Sequence, residues 1–136
     1  MKAVIDHIGV AISDLGESLK FFKDALGLDL EPPEEIPSQR VRAHFLQAGD
    51  ATVELVEPTS DESPIAKFIT KRGPGLHHLC LRVDDIVAAL AELKAKGVKL
   101  IDETPRAGAH QSLVAFIHPS STHGVLVELK QLLRSR

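Results

Sequence analysis

Asp6-His7-Ile8-Gly9-Val10 and His77-His78-Leu79-Cys80-Leu81 read as two copies of one pattern. Val53-Glu54-Leu55 and Val127-Glu128-Leu129 form a second matched pair. His7 and His78 are 71 positions apart, and Glu54 and Glu128 are 74 apart. An internal repeat dictates architecture, so it takes precedence over local propensity. Each copy here carries one imidazole and one carboxylate. A duplication that brings two His and two Glu together makes a metal site.

Working outward, the repeat continues. Asp14-Leu15 leads into Leu19, Phe22 and Leu26; Asp85-Ile86 leads into Leu90 and Leu93. Both series follow i, i+4, i+7, one face of a helix. Asp14 and Asp84 or Asp85 are natural N-caps, and Gly27 and Gly97 are natural stops. A short apolar segment follows each glycine: Leu28-Asp29-Leu30 and Val98-Lys99-Leu100. Two further strands are expected in each half, over 41–47 and 51–57 around Gly49-Asp50, and over 112–118 and 124–130 around Pro119 to Gly124. Each half therefore reads as strand, helix, strand, strand, strand. The first half adds a helix over 64–72, capped by Ser63, with Pro64 at its first position and an apolar face of Ile65, Phe68 and Ile69. Gly73-Pro74-Gly75 is the joint. Pro32-Pro33-Glu34-Glu35-Ile36-Pro37 reads as a loop. The expectation is an α+β chain: one domain, 1–136, of two βαβββ modules, about 1–72 and 73–136.

Strand parity sorts the side chains, because neighbours on a strand point to opposite faces. His7 shares a face with Ile5, Gly9 and Ala11, against Ile8 and Val10. His78 shares one with Cys80, against Leu79 and Leu81. Glu54 opposes Val53 and Leu55, and Glu128 opposes Val127 and Leu129. Each polar residue falls on the side away from the best core residues. Parity also selects between adjacent histidines: His78-Leu79-Cys80-Leu81 aligns with His7-Ile8-Gly9-Val10, so His78 is the candidate and His77 is not.

Bulk properties narrow the class. A chain of 136 residues suits one domain and buries roughly two-thirds of its extended surface. An apolar fraction of 43% and a charged fraction of 26% are ordinary for a globular protein. The net charge of −3 comes without a long run of one sign, so neither nucleic acid nor a membrane surface is an expected partner. Cys80 is the single cysteine, which excludes an intrachain disulfide and a cysteine-based zinc site. The first residues enter a structured pattern directly, and no leader or spanning segment is expected. A reducing cytoplasm is the expected compartment.

Two imidazoles and two carboxylates suit a divalent cation such as Co, Mn, Ni, Zn or Fe. A six-coordinate ion so held keeps two positions for substrate oxygens. It can chelate two nearby oxygens and stabilise an enolate by several kcal/mol. A carboxylate acting as base beside it contributes about 10²–10⁴ in rate.

These residues, in this order, resemble the vicinal oxygen chelate superfamily of paired βαβββ modules, and within it the methylmalonyl-CoA epimerases. The likeness covers nearly the whole chain. Asp6-His7-Ile8-Gly9-Val10-Ala11 is shared across the superfamily. Asp61-Glu62-Ser63-Pro64-Ile65-Ala66-Lys67-Phe68 is more specific, as is the ending from Phe116-Ile117-His118-Pro119 to Gly124-Val125-Leu126-Val127-Glu128-Leu129. The resemblance implies a curved eight-stranded mixed sheet around a metal-binding cleft and a homodimer. It implies epimerisation of (2R)- and (2S)-methylmalonyl-CoA, a step of propionate catabolism, through a metal-stabilised enolate. The implied ligands are His7, Glu54, His78 and Glu128, holding Co, Mn, Ni or Zn. Inversion needs proton traffic on both faces of C2. Glu128 is assigned to one face, and Glu54, or a water it orients, to the other.

The chain departs from the family pattern at three places. Some members carry Gln at the position of Glu54 and a separate Glu on the preceding strand, where this chain has Ala43. Arg40 replaces a usual Gly, and Ser120 a common Lys. His110, His118 and His123 read as loop residues near a cleft mouth. Lys67, Lys71 and Arg72 read as a solvated helix face that a CoA phosphate could meet, and Cys80 as small-residue packing. The resemblance leaves two alternatives: a lactoylglutathione lyase (glyoxalase)-type isomerising lyase, and a non-catalytic small-molecule-binding module of the same fold.

Overall fold

Each copy of the motif lies on a strand that runs parallel to the strand carrying its glutamate. Strand β1 (Val4–Ala11) pairs in parallel with β5 (Ala51–Pro58), and β6 (Gly75–Arg82) with β9 (Val127–Leu132). The computed structural model describes residues 1–133. Its contacts divide the chain into a first unit, His7–His77, and a second that joins Met1–Asp6 to the chain from His78 onward.

In the first unit the strand order is β2 (Asp29–Leu30), β4 (Val41–Ala48), β5, β1, with β3 (Glu34–Ile36) also on β4. Helix α1 connects β1 to β2. Asp14 caps it by accepting from the Glu17 N–H at 3.1 Å. Residues Leu15–Leu19 are α-helical, but Lys20–Ala25 continue as a π-helix, with the Leu26 N–H bonded to the Phe21 carbonyl five residues back. The wider turn shifts the apolar phase. Leu15, Leu19 and Phe22 pack on Leu46, Leu55 and Ile12, whereas Leu26 swings out to solvent and Leu28 replaces it in the core. Helix α2 (Pro64–Arg72) occupies the expected residues, with the Ser63 hydroxyl accepting from the Ile65 N–H.

In the second unit the order is β6, β9, β8 (Ser112–Ile117), β7 (Arg106–Gly108). Helix α3 (Ile86–Ala95) is capped by Asp85, which accepts from the Ala88 N–H. Its Ile86, Ala89 and Leu90 pack on Ala115, Ile117 and Leu129. Fully burying a side chain such as Ile86 or Leu55 contributes about 1.5–3 kcal/mol. No helix among the described residues is long and apolar enough to cross a membrane.

Two expectations need correction. The segment 32–37 is not wholly loop: Glu34–Ile36 forms β3, paired antiparallel with β4 through Glu34↔Ala43 and Ile36↔Val41. Pro33 and Pro37 flank an edge strand, where a missing donor is tolerated. Val98–Leu100 makes only one bridge, Leu100↔Ile117, and the extra strand of that half is β7 instead. The two surprises are equivalents. Glu34 opposes Ala43 as Arg106 opposes Val114, so the duplication extends to these short edge strands.

Strand β7 depends on a glycine for space. A Cβ at Gly108 would lie 2.6 Å from Val114 Cγ1 and 2.9 Å from Ser112 Oγ. Gly108→Ala is expected to lower stability by about 1–3 kcal/mol through overpacking, measured by urea denaturation. An unchanged midpoint would show that the hairpin has slack.

Candidate metal centre

The strand registers set the ligand candidates. In the first unit β1 places Gly9 beside Glu54 and His7 beside Thr52. Gly9 has no side chain to fill the space, and His7 Nε2 meets Glu54 Oε1 at 3.0 Å. In the second unit Cys80 is beside Glu128, and His78 Nε2 lies 3.3 Å from Glu128 Oε1. All four residues are 4–8% exposed. The opposite faces of the same strands carry Val10, Val53 and Leu55 in one core, and Leu81, Val127 and Leu129 in the other.

Each pair has an aromatic neighbour that sequence reasoning did not single out. Phe45 is directly across from Glu54, and Phe116 from Glu128. They are 71 positions apart, the interval of the two histidines, and that interval was the signal available. Phe116 meets the His78 ring edge-on at 6.0 Å. Both phenylalanines are buried, so the carboxylates sit in a weakly polar setting where an uncompensated charge is costly.

His77 lies elsewhere, with its ring edge-on to Phe68 at 4.9 Å. His118 is structural: its Nδ1 accepts from the Ser120 N–H at 3.0 Å at the head of a 3₁₀ turn. His110 and His123 adopt positive φ in turns, as does Arg40 at 54°, where glycine would carry no steric cost. Lys67, Lys71 and Arg72 are exposed on α2, with Arg72 over the Phe68 ring. Cys80 is fully buried between the rows of His78 and Arg82.

Two other charged groupings test whether pairing alone marks a site. His44 meets Glu57 at 2.8 Å, but on the core side of β4 and β5, and Glu57 continues to Arg42 and Glu35 at the surface. That grouping ties strands together. In the second unit Asp6 receives Arg82 at 2.9 Å and Lys130 at 3.0 Å. Lys130 is 5% exposed, and the carboxylate offsets the cost of its burial.

The two His–Glu pairs also link neighbouring strands, but on the face opposite the cores. Each offers an imidazole nitrogen and a carboxylate oxygen about 3 Å apart, a donor pair that fits a borderline divalent cation. Replacing a buried ion pair by well-packed apolar residues is often neutral or stabilising by roughly 1–4 kcal/mol. The variant His7→Leu with Glu54→Met is therefore expected to melt no lower than the parent when both are metal-free, and to lose metal-dependent stabilisation. A metal-free variant well below the parent would show that the pair serves the fold.

The sequence model of the Glyoxalase/Bleomycin resistance protein/Dioxygenase superfamily matches residues 6–116. Mitochondrial methylmalonyl-CoA epimerase of Bos taurus is 39% identical over 128 residues, spanning 93% of this chain and 73% of that one. The crystal structure of methylmalonyl-CoA epimerase from Mycobacterium tuberculosis superposes with a TM-score of 0.91 at 38% identity, over 96% of this chain and 88% of the other. A variant of the Streptomyces coelicolor epimerase in complex with 2-nitronate-propionyl-CoA superposes at 0.92 with 33% identity, over 98% and 96%. The chain belongs to the glyoxalase/bleomycin resistance protein/dioxygenase superfamily and, within it, to the methylmalonyl-CoA epimerase family.

Proposed function

We propose that this chain interconverts (2R)- and (2S)-methylmalonyl-CoA, with His7, Glu54, His78 and Glu128 as the ligands of one divalent cation. One observation carries the reading. In a chain of the epimerase family, each unit sets a buried imidazole against a buried carboxylate on the face opposite its core. The nitrogen and oxygen donors suit Co, Mn, Ni or Zn. When bound, the cation supplies a Lewis acid for the charge that develops on the substrate's thioester oxygen.

The remaining work falls to the chain. Inversion requires one proton to leave C2 from one face and another to arrive at the opposite face. Glu128 takes the proton on one side. Glu54, or a water it orients, delivers on the other, and the reverse reaction exchanges the roles. Ala43 supports this assignment: it is fully buried across from Val56 and offers no acid group. Phe45 and Phe116 exclude water beside the two carboxylates. The acyl-CoA analogue held by the Streptomyces coelicolor relative supports a substrate of that class.

We further propose that the modules, about 1–72 and 73–136, work as one domain in a cytoplasmic homodimer. Sedimentation velocity tests the dimer.

Proton exchange at C2 of methylmalonyl-CoA in deuterated water is expected, with inversion. The glutathione hemithioacetal of methylglyoxal is expected to be inert. Turnover of the second compound alone would replace the epimerase reading with the lyase. His78→Ala should lose bound metal and turnover together, and full metal content in that variant would remove His78 from the ligand set. Metal uptake should also weaken with acid. Both imidazoles must be deprotonated to bind, so protons and cation compete and apparent affinity falls as pH is lowered. Equilibrium dialysis across pH 5 to 8 measures it.

A further inference from the structure

We infer that Arg106 is the anion anchor of the acyl-CoA site: its guanidinium holds an oxyanion of the substrate beside the second unit's sheet. The inference rests on the epimerase reading for the identity of the ligand, and on geometry for the residue. Arg106 opposes Val114 across β7 and β8. Val114 is two residues from Phe116, which opposes Glu128. By strand alternation Arg106 therefore shares the face of Phe116, Glu128 and His78. Its guanidinium carbon stands 5.7 Å from the centre of the Phe116 ring, and that ring is near-perpendicular to His78 at 6.0 Å. A continuous line of contact thus joins Arg106, Phe116, His78 and Glu128 within one unit.

The support beneath Arg106 is built rather than accidental. Asp102 Oδ2 accepts the Phe116 backbone N–H at 2.8 Å, and its Oδ1 lies 3.7 Å from Arg106 Nε. One carboxylate therefore fixes the aromatic platform and lies within ion-pair distance of the guanidinium. A guanidinium is a planar fork of donors that recognises carboxylate or phosphate. Its side chain is 39% exposed, within reach of a ligand. The duplication adds a second argument. The equivalent edge position of the first unit is Glu34, of opposite charge, so an oxyanion is favoured at the second unit's sheet and disfavoured at the first's.

Methylmalonyl-CoA offers this chemistry twice, in its free carboxylate and in its phosphates. Cobalt-loaded parent and Arg106→Met proteins, titrated calorimetrically with three probes, separate the sources. The probes are methylmalonyl-CoA, methylmalonyl-pantetheine, which lacks the phosphates, and propionyl-CoA, which lacks the carboxylate. Loss of a charge-assisted contact should weaken methylmalonyl-CoA binding about tenfold to 100-fold. A carboxylate anchor also weakens the pantetheine ester and spares propionyl-CoA, and a phosphate anchor does the reverse. Equal affinity of parent and variant for all three probes overturns the inference, and so does an equal loss for all three, which marks a general distortion. A parent that binds methylmalonyl-CoA without exchanging its C2 proton would overturn the epimerase reading and leave the anchor standing. A parent that binds none of the probes overturns both.

Discussion

A buried carboxylate held against a buried imidazole, on the side of a sheet turned away from its helix, is the constraint around which each unit is organised. Such a pair is costly unless its partners are fixed. The parallel registers β1 with β5 and β6 with β9 fix them, by placing Gly9 beside Glu54 and Cys80 beside Glu128. The helices must then cover the other faces, and the apolar residues of those strands follow. The glutamates cannot move to the neighbouring position without entering the core, because alternation would send them among Leu46 and Leu55 or Ala115 and Leu129. Function and packing are thus written on the same strands with a period of two.

Rigidity serves the chemistry. The ligand candidates project from strand interiors, where backbone hydrogen bonds hold each Cα, and not from loops. Side chains so placed would need no rearrangement to hold a cation. The Asp6 pairings with Arg82 and Lys130 act in the same direction. They fasten the residue that precedes His7 onto β6 and β9.

Much of this was legible in the chain. The 71-residue interval marked both histidines, parity chose His78 over His77, and Ser63-Pro64 located α2 to the residue. The misses have physical causes. Glu34–Ile36 is framed by prolines and reads as loop; it becomes a strand only because β4 presents an open edge, a tertiary fact. No role for Arg106 is legible in the sequence. Its stacking on Phe116 depends on the β7–β8 register, which no local pattern encodes. Leu26 obeyed helical spacing and still lies in solvent, because the spacing assumed a turn of constant width. The pairing of His44 with Glu57 shows the converse hazard. It has the composition of a ligand pair and sits on the face that packs against the core.

The π-helical turn at Lys20–Ala25 has a bearing on how the two halves came to differ. Asp14 and Gly27 are 13 positions apart, whereas their counterparts Asp85 and Gly97 are 12 apart. Both helices nevertheless begin on a capping aspartate and end on a glycine with positive φ. The surplus residue of the older or younger copy is swallowed inside the helix as a single wide coil, so neither boundary moves and the following strands arrive in step. A gene duplication can in this way tolerate a one-codon length change in mid-helix, at the expense of one leucine turned to water and with no displacement of the strands that carry the His–Glu pairs.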